Sequence, residues 1–325
     1  MKPVTFRPPF WLSNRHLQTI LGSTPPRKTW LERRARSHLA RAESQVIECS
    51  DGARLLAEVD LPEAEPNGRV VVMIHGWEGH AGSAYMVTLA PLLCGQGFTV
   101  VRLNLRDHGD SHHLNRDLFH SCRLQEVVDA VSWVHQQYPQ DELSLVGFSL
   151  GGNFCLRVGA AAEEAGIAIG KIVAVCPVLN PADTMIALDS GWSAYQNFFL
   201  KKWRRSLNKK REAFPSLYQF TDLRRFRSLE SMTDFFVREY TEYGNLDSYL
   251  AGYALTGERL SRLKVSSSIL LAEDDPVIPI AGLKDIKLPK AVTVHRTRYG
   301  GHCGFLNSLR LRSWLDEFVL HELTN

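Results

Sequence analysis

The sequence lacks most features that mark membrane, secreted and nucleic-acid-binding proteins. Its 325 residues contain no apolar run approaching the length of a transmembrane helix, and residues 1–9 lack the apolar core of a signal peptide. Six cysteines are scattered without a Cys-x-x-Cys pair, so we expect a cytoplasmic protein with reduced thiols. The formal net charge is only +3, which gives no case for a nucleic-acid partner.

Two further absences limit the chemistry. No glycine-rich phosphate loop followed by Lys-Ser/Thr is present, so nothing calls for a nucleotide or another cofactor. Residues 106–113 contain two aspartates and three histidines, but the segment shows no helical pattern that would place two of the histidines on one face. We therefore favour a hydrogen-bonded loop that organises a site over a metal centre, and we predict no metal.

Apolar segments typical of strands alternate with amphipathic segments along most of the chain. The eight predicted strands lie at residues 46–49, 55–59, 70–74, 98–103, 143–146, 172–175, 269–271 and 292–294. Helices are predicted at 84–94, from 124 to about 138, from about 150, and near the end, where Leu311, Trp314 and neighbouring apolar residues share one face. This alternation favours an α/β fold with a mostly parallel, doubly wound sheet.

The alternation is interrupted once. Residues 180–265 show no strong strand pattern but are dense in aromatic and basic residues, and the segment is too long to be a loop in a compact domain. We therefore predict a helical cap insertion at 180–265 and a core formed by 46–179 and 266–325. Residues 1–45, which show no regular period, are predicted to form an N-terminal arm packed on that core.

The most informative motif is Gly-Phe-Ser-Leu-Gly at residues 147–151, between a predicted strand and a predicted helix. A sharp turn at this place exposes the serine hydroxyl and strains its backbone, and the flanking glycines relieve the crowding. The motif alone is weak, because glycine and serine are common in turns. Ser149 is a candidate nucleophile only if the chain also supplies a base, an orienting acid and an oxyanion hole.

A base and an acid follow two later strands in the order expected for this fold. His302 lies in a glycine-rich loop before the last predicted helix, which makes it the candidate base. The segment Glu-Asp-Asp-Pro at 273–276 offers the acid. We prefer Asp275, directly before the proline, and keep Asp274 as the alternative.

An oxyanion hole requires two backbone N–H groups that point at the developing negative charge. Leu150, which follows the nucleophile, is expected to supply one of them. Trp77, in the His-Gly-Trp-Glu-Gly segment after the strand at 70–74, is expected to supply the other. His75 is interpreted as a structural hydrogen-bonding residue at the end of that strand.

Four segments together resemble the α/β-hydrolase superfamily: residues 75–79, 147–153, 274–276 and 301–305. The His-Leu-Gln-Thr sequence within residues 8–20 narrows the resemblance to the YheT-like branch of predicted hydrolases and esterases. The resemblance implies a catalytic triad that maps onto Ser149, Asp275 and His302. It also implies activity of the carboxylesterase type on acyl esters, with some relatives acting on phospholipids or transferring acyl groups to alcohols.

These observations predict a serine hydrolase that cleaves a small-molecule acyl ester or lipid through an acyl-enzyme intermediate. An acyltransferase or a phospholipase with the same triad is the alternative. A non-catalytic binding protein on a hydrolase scaffold is disfavoured, because serine, acid and histidine are all present in order. Five aromatic residues are candidates for the substrate pocket: Phe148, Trp192, Tyr195, Phe198 and Phe199. The last four could equally form the core of the insertion.

A basic run occupies residues 201–205 and 209–211 of the predicted cap. Such runs are usually solvated helix faces, and we favour that interpretation. The alternative is peripheral contact with an anionic membrane surface.

Overall fold

The computed structural model describes residues 2–3, 5–24, 27–220, 222–308 and 313–325. Within these ranges, nine strands form one sheet. The strands are β1 (Lys2–Pro3), β2 (Glu43–Glu48), β3 (Arg54–Asp60), β4 (Arg69–Ile74), β5 (Thr99–Asn104), β6 (Glu142–Phe148), β7 (Lys171–Val175), β8 (Ser266–Ala272) and β9 (Val292–Thr297). Their order is β1-β9-β8-β7-β6-β4-β5-β3-β2. Among these described strands, only the pairs β2–β3 and β3–β5 are antiparallel.

The predicted α/β fold with its mostly parallel sheet is confirmed, and each of the eight predicted strands is present. The strands predicted at residues 46–49 and 55–59 are β2 and β3, which form an antiparallel pair in which Val46 lies opposite Leu56. The structure adds the two-residue β1, which pairs in parallel with β9. A two-residue segment that contains a proline has no periodicity to detect, so β1 is not predictable from sequence pattern.

Among the described residues, six α-helices lie outside residues 180–265. They are α1 (Arg15–Ser23), α2 (Arg27–Leu39), α3 (Ala84–Cys94), α4 (Gln125–Gln137), α5 (Leu150–Ala161) and α10 (Trp314–Thr324). Short 3-10 helices occur at Phe10–Leu12 and Ile280–Asp285. Leu311, which was expected on the apolar face of the last helix, lies outside the described residues.

The N-terminal arm contains the two regular helices α1 and α2, although its sequence shows no regular period. The side-chain oxygen of Asn14 accepts hydrogen bonds from the N–H groups of His16 and Leu17, at 2.9 and 3.2 Å. Asn14 therefore caps α1 and satisfies donors that have no partner inside the helix.

The described residues between β7 and β8 form helices rather than strands, as the sequence predicts. These helices are α6 (Pro181–Ser190), α7 (Ser193–Ala213), α8 (Leu229–Tyr240) and α9 (Leu246–Tyr253), with a 3-10 helix at Leu223–Arg225. The exact division into arm, core and cap stays a prediction. In the part of the chain that the structure describes, no helix combines the length and apolar character needed to span a bilayer.

The central strands are buried on both faces. In β4, Val70, Val72 and Ile74 belong to one apolar cluster, whereas Val71 and Met73 belong to the other. A continuous apolar run is what such a strand requires, because successive side chains point to opposite faces of the sheet. The loops that follow the carboxyl ends of these parallel strands meet at one edge of the sheet, where the candidate site lies.

Candidate active site

Ser149 occupies the turn between β6 and α5. Its backbone has φ 54° and ψ −119°, a conformation that non-glycine residues rarely adopt. A Cβ added at Gly151 would lie 2.1 Å from the Ile74 carbonyl oxygen, and one added at Gly147 would lie 2.3 Å from the Gly151 carbonyl oxygen. The glycines around the serine are therefore required by close backbone contacts, and the turn holds the hydroxyl at the end of the sheet.

The structure brings Ser149, His302 and Asp275 together in one hydrogen-bonded series. His302 Nε2 lies 3.0 Å from Ser149 Oγ, and His302 Nδ1 lies 2.9 Å from Asp275 Oδ2. The other carboxylate oxygen of Asp275 accepts hydrogen bonds from the N–H groups of Val277 and Ile278, at 2.8 and 3.0 Å. The carboxylate is thus fixed by the loop after β8 and orients the imidazole toward the hydroxyl.

Asp274 contacts the same loop in a different way. Its Oδ1 accepts a 2.9 Å hydrogen bond from the Gly301 N–H, one residue before the histidine. Burial raises the pKa of this carboxyl above its usual value. Of the two aspartates left open by the sequence, Asp275 therefore contacts the imidazole of His302, whereas Asp274 supports the backbone that carries it.

The protonation of His302 depends on its acidic partner. Burial lowers its pKa, but the charge of Asp275, the neighbouring Cys303 and the hydrogen bond to Asp275 together raise the pKa to about 9. The carboxylate therefore stabilises the imidazolium form. An imidazole with a raised pKa readily accepts the proton of a hydroxyl group. It is neutral only at alkaline pH.

The backbone amides expected to bind an oxyanion lie on either side of Ser149. A Cβ added at Gly76 would lie 3.0 Å from Ser149 Cβ, so the chain leading into Trp77 packs directly on the serine. Leu150 is the first residue of α5, where backbone N–H groups have no partner within the helix. Among the described residues, the N–H groups of Trp77 and Leu150 donate no hydrogen bond to another protein group. Both donors are available to a ligand oxygen.

Two buried histidines form hydrogen bonds with the backbone of the turn that carries Trp77. His75 Nε2 accepts a 3.1 Å hydrogen bond from the Leu105 N–H, and its Nδ1 lies 2.7 Å from the Gly76 carbonyl oxygen. Burial lowers the pKa of His75 well below its usual value. His108 Nε2 accepts a 3.1 Å hydrogen bond from the Glu78 N–H. Both imidazoles are hydrogen-bonded to the backbone, the structural role expected for His75.

The polar side chains of residues 106–113 contact separate partners. Asp107 Oδ1 lies 2.7 Å from Lys210 Nζ, and its Oδ2 accepts a hydrogen bond from the Phe119 N–H. His112 Nε2 lies 2.9 Å from Ser206 Oγ. The segment thus joins the core to α7, which fits a loop that organises the site.

Three other donors lie close together beside the nucleophile. The possible ligand atoms of Cys176, His302 and Cys303 lie within 4.8 Å of one another. In the part of the chain that the structure describes, this is the group whose spacing would allow it to bind one metal ion. Both ring nitrogens of His302 already contact Ser149 and Asp275. An ion held here would compete with those hydrogen bonds, so we assign the group no cofactor.

A cavity of about 640 Å³ opens beside Ser149. Its wall includes His302, Trp77 and Leu150, and three of the five predicted aromatic residues: Tyr195, Phe198 and Phe199. Apolar side chains of α6, α8 and the loop before α4 complete it, among them Met185, Leu188, Leu229 and Phe119. Its size and apolar lining suit a ligand with a hydrocarbon chain.

The expectation that Phe148 and Trp192 line the pocket is not met. Phe148 is 1% exposed and stacks on Tyr85 with ring centroids 4.3 Å apart, inside the second apolar cluster. As the residue before the nucleophile in β6, it points into the core rather than toward the site. Trp192 is 48% exposed and is not part of the cavity wall, although it contacts His16 and the wall residue Tyr195.

The sequence interpretation missed the role of α1, which holds the histidine loop. The His302 N–H donates a 2.9 Å hydrogen bond to Thr19 Oγ1. The fully buried Gln18 donates to the carbonyl oxygens of Leu12 and Leu306 and accepts from the Leu306 N–H at 2.6 Å. The His-Leu-Gln-Thr segment was the available signal, but local pattern does not show which distant loop it contacts.

The basic run of the cap is not a uniform solvated face. Lys210 is 1% exposed and donates to Asp107 Oδ1 and to the carbonyl oxygens of Asn115 and Asp117, at 2.7, 2.7 and 2.9 Å. Lys202 lines the cavity and donates a 2.8 Å hydrogen bond to the Glu78 carbonyl oxygen. Of the seven basic residues in the run, Lys201 and Arg205 are exposed, and the other five are partly or fully buried. Most of this charge contacts the protein itself, and membrane contact stays a prediction.

Comparisons with known proteins find a family model and several relatives that resemble this chain. A family model described as the alpha/beta hydrolase fold matches residues 69–309. "Putative esterase YheT" of Escherichia coli (strain K12) is 27% identical, covering 98% of this chain and 93% of the relative. Human "Monoacylglycerol lipase ABHD2" is 24% identical, covering 96% of this chain and 78% of the relative. A Saccharomyces cerevisiae protein, "Medium-chain fatty acid ethyl ester synthase/esterase 2", is 23% identical over 83% of this chain and 63% of the relative.

Solved structures share the architecture at low identity. The Pyrococcus furiosus esterase Pf2001 superimposes with a TM-score of 0.55 at 14% identity, covering 87% of this chain and 92% of that chain. The 2,6-dihydroxy-pseudo-oxynicotine hydrolase gives a TM-score of 0.59 at 15% identity, covering 91% and 72%. At such identities the likeness concerns the fold.

Proposed function

Since the chain belongs to the α/β-hydrolase fold family, we propose that it cleaves acyl esters through an acyl-enzyme formed on Ser149. The predicted resemblance to the YheT-like branch is confirmed by the curated relatives, and the chain is a carboxylic ester hydrolase. The observation that carries the proposed mechanism is the hydrogen-bonded series from Ser149 through His302 to Asp275.

In the proposed acylation step, His302 Nε2 takes the hydroxyl proton of Ser149 while the serine oxygen attacks the ester carbonyl. Asp275 holds the proton on Nδ1 and stabilises the imidazolium that forms. The N–H groups of Trp77 and Leu150 bind the tetrahedral oxyanion, and the loss of one such donor typically costs 10² to 10³ in rate. The imidazolium then protonates the leaving alcohol, which departs and leaves the acyl-enzyme.

In the proposed deacylation step, His302 activates water in the same position, and the acid is released from Ser149. An alcohol in place of water would give acyl transfer, the alternative predicted from the sequence. The name of the yeast relative includes both an ethyl ester synthase and an esterase. Both acyl transfer and hydrolysis should therefore be tested. Product analysis with added ethanol separates them, because transfer yields an ethyl ester and hydrolysis yields the free acid.

The cavity supports an acyl chain as the apolar part of the substrate. Its cap side is formed by side chains such as Leu188 of α6, Phe199 of α7 and Leu229 of α8. We propose that the cap of residues 180–265 covers this chain and that the arm of residues 1–45 forms the opposite wall through α1. A phospholipase or a monoacylglycerol lipase would use the same surfaces.

The experiment that tests the proposal is hydrolysis of p-nitrophenyl esters of increasing chain length by the wild-type protein and by Ser149→Ala. Loss of the nucleophile lowers kcat on the order of 10⁶-fold in a serine hydrolase of this kind. The melting temperature should be nearly unchanged, because alanine removes only the hydroxyl. Ser37→Ala, at an exposed position of α2, is the matched control. Activity retained by Ser149→Ala contradicts the proposal.

A further inference from the structure

The cavity beside Ser149 carries positive charge on one part of its wall. Lys28 of α2 and Lys202 of α7 line it, together with the imidazole of His80. Among the described residues that form the wall, none is an aspartate or a glutamate. A largely apolar cavity whose charged wall residues are all cations favours a ligand with an anionic group.

Two of the three basic residues, His80 and Lys202, adjoin or contact the turn that packs on Ser149. His80 directly follows the turn at residues 76–79, whose first residue packs on Ser149. Lys202 Nζ donates a 2.8 Å hydrogen bond to the Glu78 carbonyl oxygen in the same turn. An anionic group bound by Lys202 and His80 would therefore lie beside this turn, where α7 of the cap meets the core.

His80 presents a neutral hydrogen-bond donor between the two lysines. Its Nδ1 accepts a 3.0 Å hydrogen bond from the Gly82 N–H, so the ring proton lies on Nε2. Burial, followed by the charges of Lys28 and Lys202, lowers the pKa of His80 to about 4. The positive charges of Lys28 and Lys202 that disfavour the imidazolium form of His80 would be partly neutralised by a bound anion.

Neighbouring carboxyl groups offset this charge only in part. Burial raises the pKa of Glu78 to about 8, so near neutral pH this carboxyl is mostly protonated beside Lys202. Glu32 lies 3.6 Å from Lys28, but the pair is partly exposed and one turn apart on α2, where such pairs are weak. Arg205 adds further positive charge near Lys202.

We propose that the preferred ester carries a phosphate or carboxylate group on its alcohol part, which Lys28, Lys202 and the Nε2–H of His80 bind. The acyl chain then occupies the apolar part of the cavity, which Leu188 of α6 and Leu229 of α8 line. This proposal names the substrate class of the hydrolase site and rests on the proposed function.

The test compares kcat/KM for three esters with one acyl chain: 1-lauroylglycerol, 1-lauroylglycerol 3-phosphate and 3-lauroylglycerate. The wild-type protein should prefer an anionic ester to the neutral one by about tenfold or more, since a charge-assisted hydrogen bond contributes about that much. Lys28→Met and Lys202→Met should each lower the ratio of anionic to neutral kcat/KM by about tenfold. Lys201→Met, exposed on the same helix as Lys202, should leave the ratio unchanged. The two anionic esters distinguish phosphate from carboxylate.

A binding measurement separates this proposal from the catalytic one. Ser149→Ala is titrated with dodecyl phosphate and with dodecanol by calorimetry, and the phosphate should bind about tenfold more tightly. Equal binding of the two probes, or a substrate ratio unmoved in both Lys28→Met and Lys202→Met, overturns the anionic subsite. Selective phosphate binding without turnover of any ester would instead contradict the proposed hydrolysis and leave the subsite supported.

Discussion

Replacing Asp275 by asparagine perturbs the site at the contact that fixes the histidine. The side chain keeps its size, so an amide oxygen can still accept from the N–H groups of Val277 and Ile278. The NH₂ group would then face His302 Nδ1, 2.9 Å away, where the carboxylate oxygen accepts a hydrogen bond from the Nδ1–H in the wild-type protein. Because an amide NH₂ donates, it favours the tautomer with the proton on Nε2, and that nitrogen can no longer accept the Ser149 proton.

The expected loss follows from this change of tautomer. The same substitution in a serine protease triad lowers kcat by about 10⁴, which corresponds to about 5.4 kcal/mol at 1.36 kcal/mol for each factor of ten. The substitution also removes the charge that raises the pKa of His302 to about 9. The residual activity of Asp275→Asn should therefore reach its plateau at a lower pH than the wild-type activity does.

The assay is kcat and kcat/KM for a short-chain p-nitrophenyl ester, measured across pH for both proteins. Asp274→Asn is the matched control, because its amide oxygen can still accept from the Gly301 N–H and the residue does not contact the imidazole. We expect a much smaller loss in the control and no shift of the pH profile. A kcat for Asp275→Asn within tenfold of the wild-type value, or an unmoved pH profile, would refute the reasoning.

Three further predictions concern the histidine, its support and the cap. Because the base acts only when neutral, wild-type kcat/KM should rise with pH through the His302 pKa of about 9, and a profile flat from pH 6 to 10 contradicts this. Thr19→Val removes the hydroxyl that accepts the hydrogen bond from the His302 N–H, and it should lower kcat about tenfold. Thr19→Ser keeps a hydroxyl and should retain most of the wild-type kcat. Equal kcat in both variants argues against positioning of the histidine by this hydroxyl. Lys210→Met leaves the buried Asp107 carboxylate without its cation and should lower the free energy of unfolding by about 3–5 kcal/mol, measured by urea denaturation, against little change for Lys201→Met.

The elements that the sequence predicted well are those whose signals are local. The turn at Ser149 requires glycines within two residues of the serine, and the loops with Asp275 and His302 each follow a recognisable apolar strand. Chain order then placed the acid between the serine and the histidine. These constraints act within a few residues, so one sequence suffices to find them.

The features that the sequence did not predict depend on contacts between distant segments. Gln18 is hydrogen-bonded to Leu306, which is 288 positions away in the sequence. Lys210 is hydrogen-bonded to Asp107, which is 103 positions away. A basic run looks like a solvated face until its partners are known. Phe148 is an aromatic candidate for the pocket in the sequence, but the strand geometry directs it into the core.

The central claim is that Ser149 forms a covalent acyl-enzyme, and the most direct measurement is intact and peptide mass spectrometry after brief reaction with a p-nitrophenyl ester and acid quenching. A rapid burst of p-nitrophenol, with a single acyl adduct on the peptide that contains Ser149, is the predicted result. The adduct should be absent from Ser149→Ala under the same conditions. Ester turnover without any adduct, or an adduct on another residue that persists in Ser149→Ala, would contradict the account.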